Sequence, residues 1–228
     1  MKEKAKRYAE MAMEVLISLL IAESGFIMLT QTNAPEFLAL GFIFAGIYFA
    51  AETLVHDELL KERIDVYIDM DGCLAVWEDC ESEEELLTRQ FWETRRQERN
   101  MIEAVKILQR KGVNVYIETH YVCNAAKAGK GVWLFVAGLD TVPVIYVPYG
   151  QDKSLYVRKK AGRIPVLVDD YSKNLHAWEA AGYVGVKFRN SINGTKGTWT
   201  KKDATVFYYQ RPEKIAEQII SVGMKRAA

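Results

Sequence analysis

Apolar residues are distributed along this chain in two different ways. From 11 to 31 (MAMEVLISLLIAESGFIMLTQ) and from 37 to 55 (FLALGFIFAGIYFAAETLV) they form near-continuous stretches, separated by a short turn, TNAPE, containing Pro35. Each stretch approaches the roughly 20 residues that span a bilayer as a helix. The pair predicts an apolar α-helical hairpin over residues 1–60. From Ile64 onward the apolar positions fall into short β-rich runs: IDVYI (64–68), VNVYIE (113–118), VPVIYV (142–147), IPVLV (164–168) and VGVKF (184–188). Helix-like segments lie between and after them, at 83–110, 123–138, 153–161, 172–181 and 212–223. Near-unbroken apolar strands alternating with helices predict an α/β domain, residues 61–228, with a parallel sheet covered on both faces. Gly112, after the sequence QRK, marks a helix stop. The stretch INGTKGTW (192–199) reads as a glycine-punctuated turn or hairpin.

The flanks of the hairpin set its expected orientation. MKEKAKR carries four basic residues against one acid, Lys61 and Arg63 follow the second stretch, and the turn has neither Lys nor Arg. Positive charge marks the cytoplasmic side, which predicts membrane contact through residues 11–55 and a domain at the cytoplasmic face. No small-residue cleavage site follows the first stretch, so a cleaved signal peptide fits poorly. Glu14 and Glu23 interrupt the first stretch, and a carboxylate at mid-bilayer costs about 2.5–3.5 kcal/mol. A soluble hairpin packed on the domain, or a dimerisation arm, is the alternative. Gly41, Ala45, Gly46 and Ala50 have the small-residue spacing of close helix contacts.

Composition narrows the classes. Half of the 228 residues are hydrophobic, enough for a packed core. Thirty Lys and Arg balance thirty Asp and Glu, without the basic excess of a dedicated nucleic-acid binder. Cys73, Cys80 and Cys123 form no CxxC pair and are odd in number. Reduced thiols are therefore expected rather than a disulfide framework or a zinc site.

Candidate chemistry sits where the strands end. In open α/β sheets, ligands bind at the carboxyl ends of the strands. The first run ends in Asp69 and Asp71, the second in Glu118 and Thr119, and the fourth in Asp169 and Asp170; Lys153 follows the third. Carboxylates converging on one edge raise one another's pKa unless a cation sits among them. Hard oxygen ligands with room for water and phosphate describe a Mg2+ site. A carboxylate nucleophile, a second carboxylate as general acid and base, and a hydroxyl with an ammonium to hold phosphate oxygens suit phosphoryl transfer.

These residues carry a resemblance. DMDGCL after a strand, Thr119 at the end of the next, Lys153, and VDD at 168–170 resemble the motifs of the haloacid-dehalogenase-like phosphohydrolase superfamily, with spacings of 50, 34 and 16 residues that suit its Rossmann-like core. VPYGQDKSLYV, LVDDYSKNLHAWEAAG and SINGTKGTW further resemble the 5'-nucleotidase, deoxy (pyrimidine), type C branch, in its bacterial and phage members. The resemblance covers about 64–200 and leaves the hairpin outside. It implies Asp69 as nucleophile and Mg2+ ligand, and Asp71 as general acid and base lending its backbone carbonyl to the metal. Thr119 would bind phosphate, and Lys153 would neutralise the phosphate and the nucleophile. Asp169 and Asp170 would complete the metal site, with their order of ligation open. The implied substrate is a phosphomonoester, a nucleotide in the named branch. A phosphatase for another phosphoester and a non-catalytic binding or assembly module are the alternatives.

Two departures stand out. Cys73 occupies the position after the motif glycine, where Thr is usual. About 45 residues between the first two motifs must supply a core helix and any cap, so the cap is small, with 76–92 as its candidate. Trp77, Phe91 and Trp92 could stack on a base there, although aromatics at such spacing are more often packing residues. His120 could touch substrate, but no partner at metal-type spacing accompanies it; His176 is expected on a helix surface. Lys173 and Asn174 could orient Asp170. Arg158, Lys159, Lys160 and Arg163 could attract a phosphorylated substrate, or simply solvate a helix end.

Overall fold

The computed structural model describes residues 17–24, 26–27, 43–47, 63–78, 80, 82–158, 160–192 and 197–227. Contacts divide the chain into two units, Met1–Lys61 with Arg110–Gly112, and Glu62–Gln109 with Val113–Ala228.

In the first unit, residues 17–24 and 43–47 are helical. A Cβ built on Gly46 would lie 2.4 Å from the Ser18 carbonyl oxygen, so the two pieces approach closely where glycine permits it. Ser18 is buried there, whereas Leu19, Leu20, Phe44 and Ile47 are exposed. Among the described residues no helix is long and apolar enough to cross a membrane. The greater part of 11–31 and 37–55 lies outside the described residues, and the expected membrane hairpin with it.

The second unit is an α/β domain. Its strands are β1 (Ile64–Ile68), β2 (Asn114–Tyr121), β3 (Val144–Pro148), β4 (Ile164–Asp169), β5 (Val184–Arg189) and β6 (Thr205–Phe207). They form one sheet in the order β3-β2-β1-β4-β5-β6, and every pairing is parallel. The helices are α1 (Arg89–Glu93), α2 (Arg99–Arg110), α3 (Asn124–Val136), α4 (Ser172–Ala180) and α5 (Pro212–Ala227). Single 3-10 turns occupy Glu83–Leu87 and Lys153–Tyr156.

Strand alternation explains the two cores. Ile64 and Val166 project towards α5, whose Gly223 lies so close that a Cβ would sit 2.9 Å from Val166. Tyr67 and Leu167 project the other way, into a cluster with Leu175, Trp178 and Trp199. Both faces are therefore apolar, as continuous hydrophobic runs require. The chain builds outward from β1 to β3 and then returns to start β4 beside β1. That reversal opens a crevice at the carboxyl ends of β1 and β4, the usual ligand position in such sheets.

Two expectations on elements are corrected. The segment 83–110 is not one helix, because residues 96–98 pair back onto 74–76: Val76 N–H donates to the Arg96 carbonyl at 2.8 Å and Glu98 N–H to that of Leu74 at 2.7 Å. Thr88 then caps α1 by accepting from the Phe91 N–H. Among the described residues of 153–161 only Lys153–Tyr156 is helical, as a 3-10 turn started by Asp152 accepting from the Ser154 N–H at 2.8 Å. The turn or hairpin expected at 192–199 lies largely outside the described residues; beyond it β6 pairs with β5 in parallel register.

Candidate active site

Asp69 immediately follows β1, and its N–H donates to the Val168 carbonyl on β4 at 2.9 Å. Ile68 is level with Ile117 and with Val168. One step further, Asp69, Glu118 and Asp169 lie in a row on one face of the sheet. Lys153, at the start of its 3-10 turn, reaches into that row. Its ammonium lies 2.5 Å from Asp69 Oδ1 and 2.7 Å from Asp169 Oδ2, with all three side chains buried. Burial pushes the Asp69 carboxyl well above the usual carboxylate range; Lys153 opposes the shift, and Asp169, Asp71 and Asp170 add to it. Burial pulls the Lys153 ammonium down, but Asp169 and Asp69 outweigh it and hold the group above the ordinary lysine range.

The consecutive acids Asp169 and Asp170 separate in role. Asp169 is saturated by protein donors: besides Lys153, it accepts from the Tyr171 N–H at 2.7 Å and from Asn174 Nδ2 at 2.9 Å. Asn174 thus orients Asp169, not Asp170 as expected. Asp170 accepts from Asn190 Nδ2 at 3.0 Å, and the same amide binds the Gly72 carbonyl at 2.9 Å. Asp170, Asp69 and Cys73 bring one ligand atom each to within 4.8 Å of one another. Gly72, at φ +84°, allows this: a Cβ there would fall 2.2 Å from Asp170 Oδ2. Burial pushes the Cys73 thiol up, with Asp170 adding to the shift. A neutral thiol is a poor ligand for a hard cation, so the two carboxylates are the natural donors of this group. Mg2+ fits that oxygen set, with Asp69 and Asp170 as the side chains that could hold it.

Asp71 and Thr119 meet on the other side. Thr119, fully buried on β2, donates its hydroxyl towards Asp71 Oδ2 at 3.4 Å. Lys130 of α3 ion-pairs with the same Oδ2 and donates to Thr119 Oγ1 at 2.8 Å. The structure therefore brings Asp69, Asp71, Thr119, Lys153, Asp169 and Asp170 together at one edge.

Asp69, Asp71 and Asp170 line a cleft of about 770 Å³. Its walls include Trp77, Leu86, Leu87, Trp92, Val122, Tyr149 and Tyr171, with Glu83 and Glu84 also on the lining. Phe91 is instead a packing residue, edge-on to Trp92 at 4.9 Å and 3.8 Å beneath the Arg95 guanidinium. His120 lines the cleft and its Nε2 lies 2.9 Å from the Gln151 carbonyl; burial pulls its pKa down. His176 is exposed on α4, paired with Thr198 at 2.8 Å. Arg163 stands at the opposite end of β1, on Asp65 at 2.7 Å, so it does not face the cleft. Lys159 lies outside the described residues.

Sequence reasoning missed Lys130, Lys187 and Asn190. Lys187 of β5 donates to the Asp170 carbonyl and to Ser172 Oγ. Asn190 directly follows β5, and extending the strand-end rule to the fifth run would have found it. Lys130 shares a helix face with the buried Ala126, Trp133 and Leu134, and a lone cation at apolar spacing was the available signal. No protein-family model matches the chain, and no curated protein matches it significantly.

Proposed function

We propose that the chain is a Mg2+-dependent phosphomonoester hydrolase of the haloacid-dehalogenase-like type, acting through a phospho-Asp69 intermediate on nucleoside 5'-monophosphates. The observation that carries this reading is Lys153 held between Asp69 and Asp169, with Asp71 and Thr119 across the same strand ends. Asp69 carries the nucleophilic oxygen, which attacks phosphorus while the ester P–O bond breaks. Asp71 gives its proton to the departing alkoxide, yielding the free alcohol. Asp71 then takes a proton from the attacking water, the P–O bond to Asp69 breaks, and phosphate leaves. Thr119 and Lys153 hold the phosphoryl oxygens. Bound Mg2+ supplies charge neutralisation at those oxygens. Asp69 and Asp170 would hold it, with the Asp71 carbonyl as the third protein ligand the resemblance implies.

The nucleotide preference rests on the cleft. Its volume and its indole walls suit a flat leaving group of nucleoside size. Glu83 and Glu84 in place of cations disfavour further phosphates. The proposal keeps the membrane contact of residues 11–55, supported by the exposed Leu19, Leu20, Phe44 and Ile47 around a close helix contact; flotation of the full chain with liposomes tests it. The reaction is tested by phosphate release from nucleoside monophosphates and simple phosphoesters, with Mg2+ and with EDTA, beside Asp69→Asn. Mg2+-dependent release that vanishes in the variant supports the reading, and the preferred ester identifies the branch. No release by folded protein would move the assignment to a binding or assembly module.

A further inference from the structure

In a neutral histidine ring one nitrogen donates and the other accepts, so a partner on one edge fixes the character of the other. His120 is such a case. Its Nε2 lies 2.9 Å from the Gln151 carbonyl oxygen. A carbonyl can only accept, so Nε2 carries the proton and Nδ1 of the neutral ring is an acceptor. Burial, which pulls the pKa of the ring down, favours that neutral form. Nδ1 has no partner among the described residues, and it is not one of the buried atoms left without a partner, so solvent reaches it. The ring is also held still. Lys130 Nζ fixes its backbone by donating to the His120 carbonyl at 2.7 Å. Gln151 is placed by a tight turn, with its N–H on the Pro148 carbonyl at 3.1 Å and Gly150 at φ +86°. Tyr149 stands edge-on to the ring, with centroids 6.3 Å apart. An acceptor ordered before the ligand arrives loses little entropy on binding, which lets a single hydrogen bond count.

Its place in the cleft decides what this acceptor can read. His120 lines the same cleft as Asp69, Asp71 and Asp170. It directly follows Thr119, and the charges of Lys153, Asp169 and Asp71 act on its ring. It therefore serves the part of a substrate next to the phosphoryl group. In a nucleoside 5'-monophosphate that part is the sugar, whose 3'-hydroxyl is the hydroxyl nearest the ester oxygen. A hydroxyl can donate, and Nδ1 is the acceptor without a protein donor. Given the phosphatase reading and its nucleotide substrate, we infer that His120 is a specificity-determining residue, its Nδ1 accepting a hydrogen bond from the 3'-hydroxyl of the sugar. A site built around such a bond rejects the analogue that lacks the donor.

The readout is a ratio of kcat/KM, in Mg2+ at pH 8, where the ring is neutral. It compares the nucleoside 5'-monophosphate that the wild type cleaves fastest with its 3'-deoxy form. One neutral hydrogen bond makes the expected wild-type ratio about ten. His120→Gln carries its amide to the position of Nε2, which keeps a donor for Gln151 and leaves nothing at Nδ1. Its ratio should fall to about two or less. His120→Asn puts an amide oxygen where Nδ1 stood and should recover a ratio of about five or more. A merely structural His120 would slow both esters alike and leave the ratio at its wild-type value in both variants, which overturns the inference, as does a wild-type ratio near one. If neither variant folds, the 3'-fluoro analogue decides. Close to the hydroxyl in size but unable to donate, it should be cleaved by wild type as slowly as the 3'-deoxy form; cleavage as fast as the parent overturns the inference. Release from simple phosphoesters but from no nucleotide removes the inference and the nucleotide preference while leaving the phosphatase intact. Release from no ester at all overturns the phosphatase reading and this inference with it.

Discussion

Glu118 is a buried acid without a hydrogen-bond partner, and its replacement makes a quantitative test. It is fully buried on β2, and neither carboxyl oxygen has a hydrogen-bond partner. Burial pushes its pKa from 4.5 up to about 8, with Lys153 opposing and Asp169 and Asp152 adding. Above pH 4.5 the unfolded chain releases this proton, while the folded protein keeps it until about pH 8. The folded state then binds more protons, so stability contributed at this position falls as pH rises through that window. Each pH unit is worth about 1.4 kcal/mol, which with saturation near the folded pKa makes about 2 kcal/mol between pH 6 and pH 8. Glu118→Gln keeps the shape and cannot ionise. Urea unfolding followed by tryptophan fluorescence in EDTA, at pH 5, 6 and 8, should show the two proteins close at pH 5 and the variant gaining about 2 kcal/mol on wild type from pH 6 to pH 8. A difference that stays constant across those pH values would refute the reasoning, because it would mean that Glu118 ionises alike in both states.

Other perturbations follow from the same contacts. Gly72→Ala forces a side chain into the left-handed region and onto Asp170, which should destabilise the fold by about 1–3 kcal/mol. Titration calorimetry should show Mg2+ affinity reduced at least about tenfold by the displaced carboxylate. Trp178, fully buried against Tyr67 and Leu167, should lose about 3–5 kcal/mol of stability as Trp178→Ala, read from the urea midpoint. Neutralising the cleft acids as Glu83→Gln with Glu84→Gln should raise kcat/KM for diphosphate esters relative to monophosphates, and the gain should shrink as salt is added.

The parallel α/β architecture was legible because a strand buried on both faces is predominantly apolar, as β1 and β4 are apart from Asp65 and the terminal Asp169. The strand-end rule then led to Asp69, Asp71, Thr119, Lys153, Asp169 and Asp170 from the sequence alone. The rest depended on contacts with no local signature. β6 has three residues, too few for any periodicity; it is a strand because the edge of β5 offers partners, with the Lys187 N–H donating to the Ala204 carbonyl at 2.9 Å. The break in 83–110 likewise follows from pairing with 74–76, which overrides helix propensity.

Adjacent in sequence, Asp169 and Asp170 are indistinguishable by pattern. Folding separates them because Asp169 closes β4 against Lys153, whereas Asp170 lies just past the strand, where Asn190 ties it to Gly72 and it joins the group with Asp69. Lys130 marks the same boundary. Its sequence shows a cation on an apolar helix face, and only the docking of α3 on β2 and α1 decides which acceptors surround it. Burial is written in local periodicity, so the sequence by itself determined the α/β order and the residue types at the strand ends. The identity of a buried polar group's partner is a long-range property, so tertiary structure alone decided which carboxylate each lysine holds.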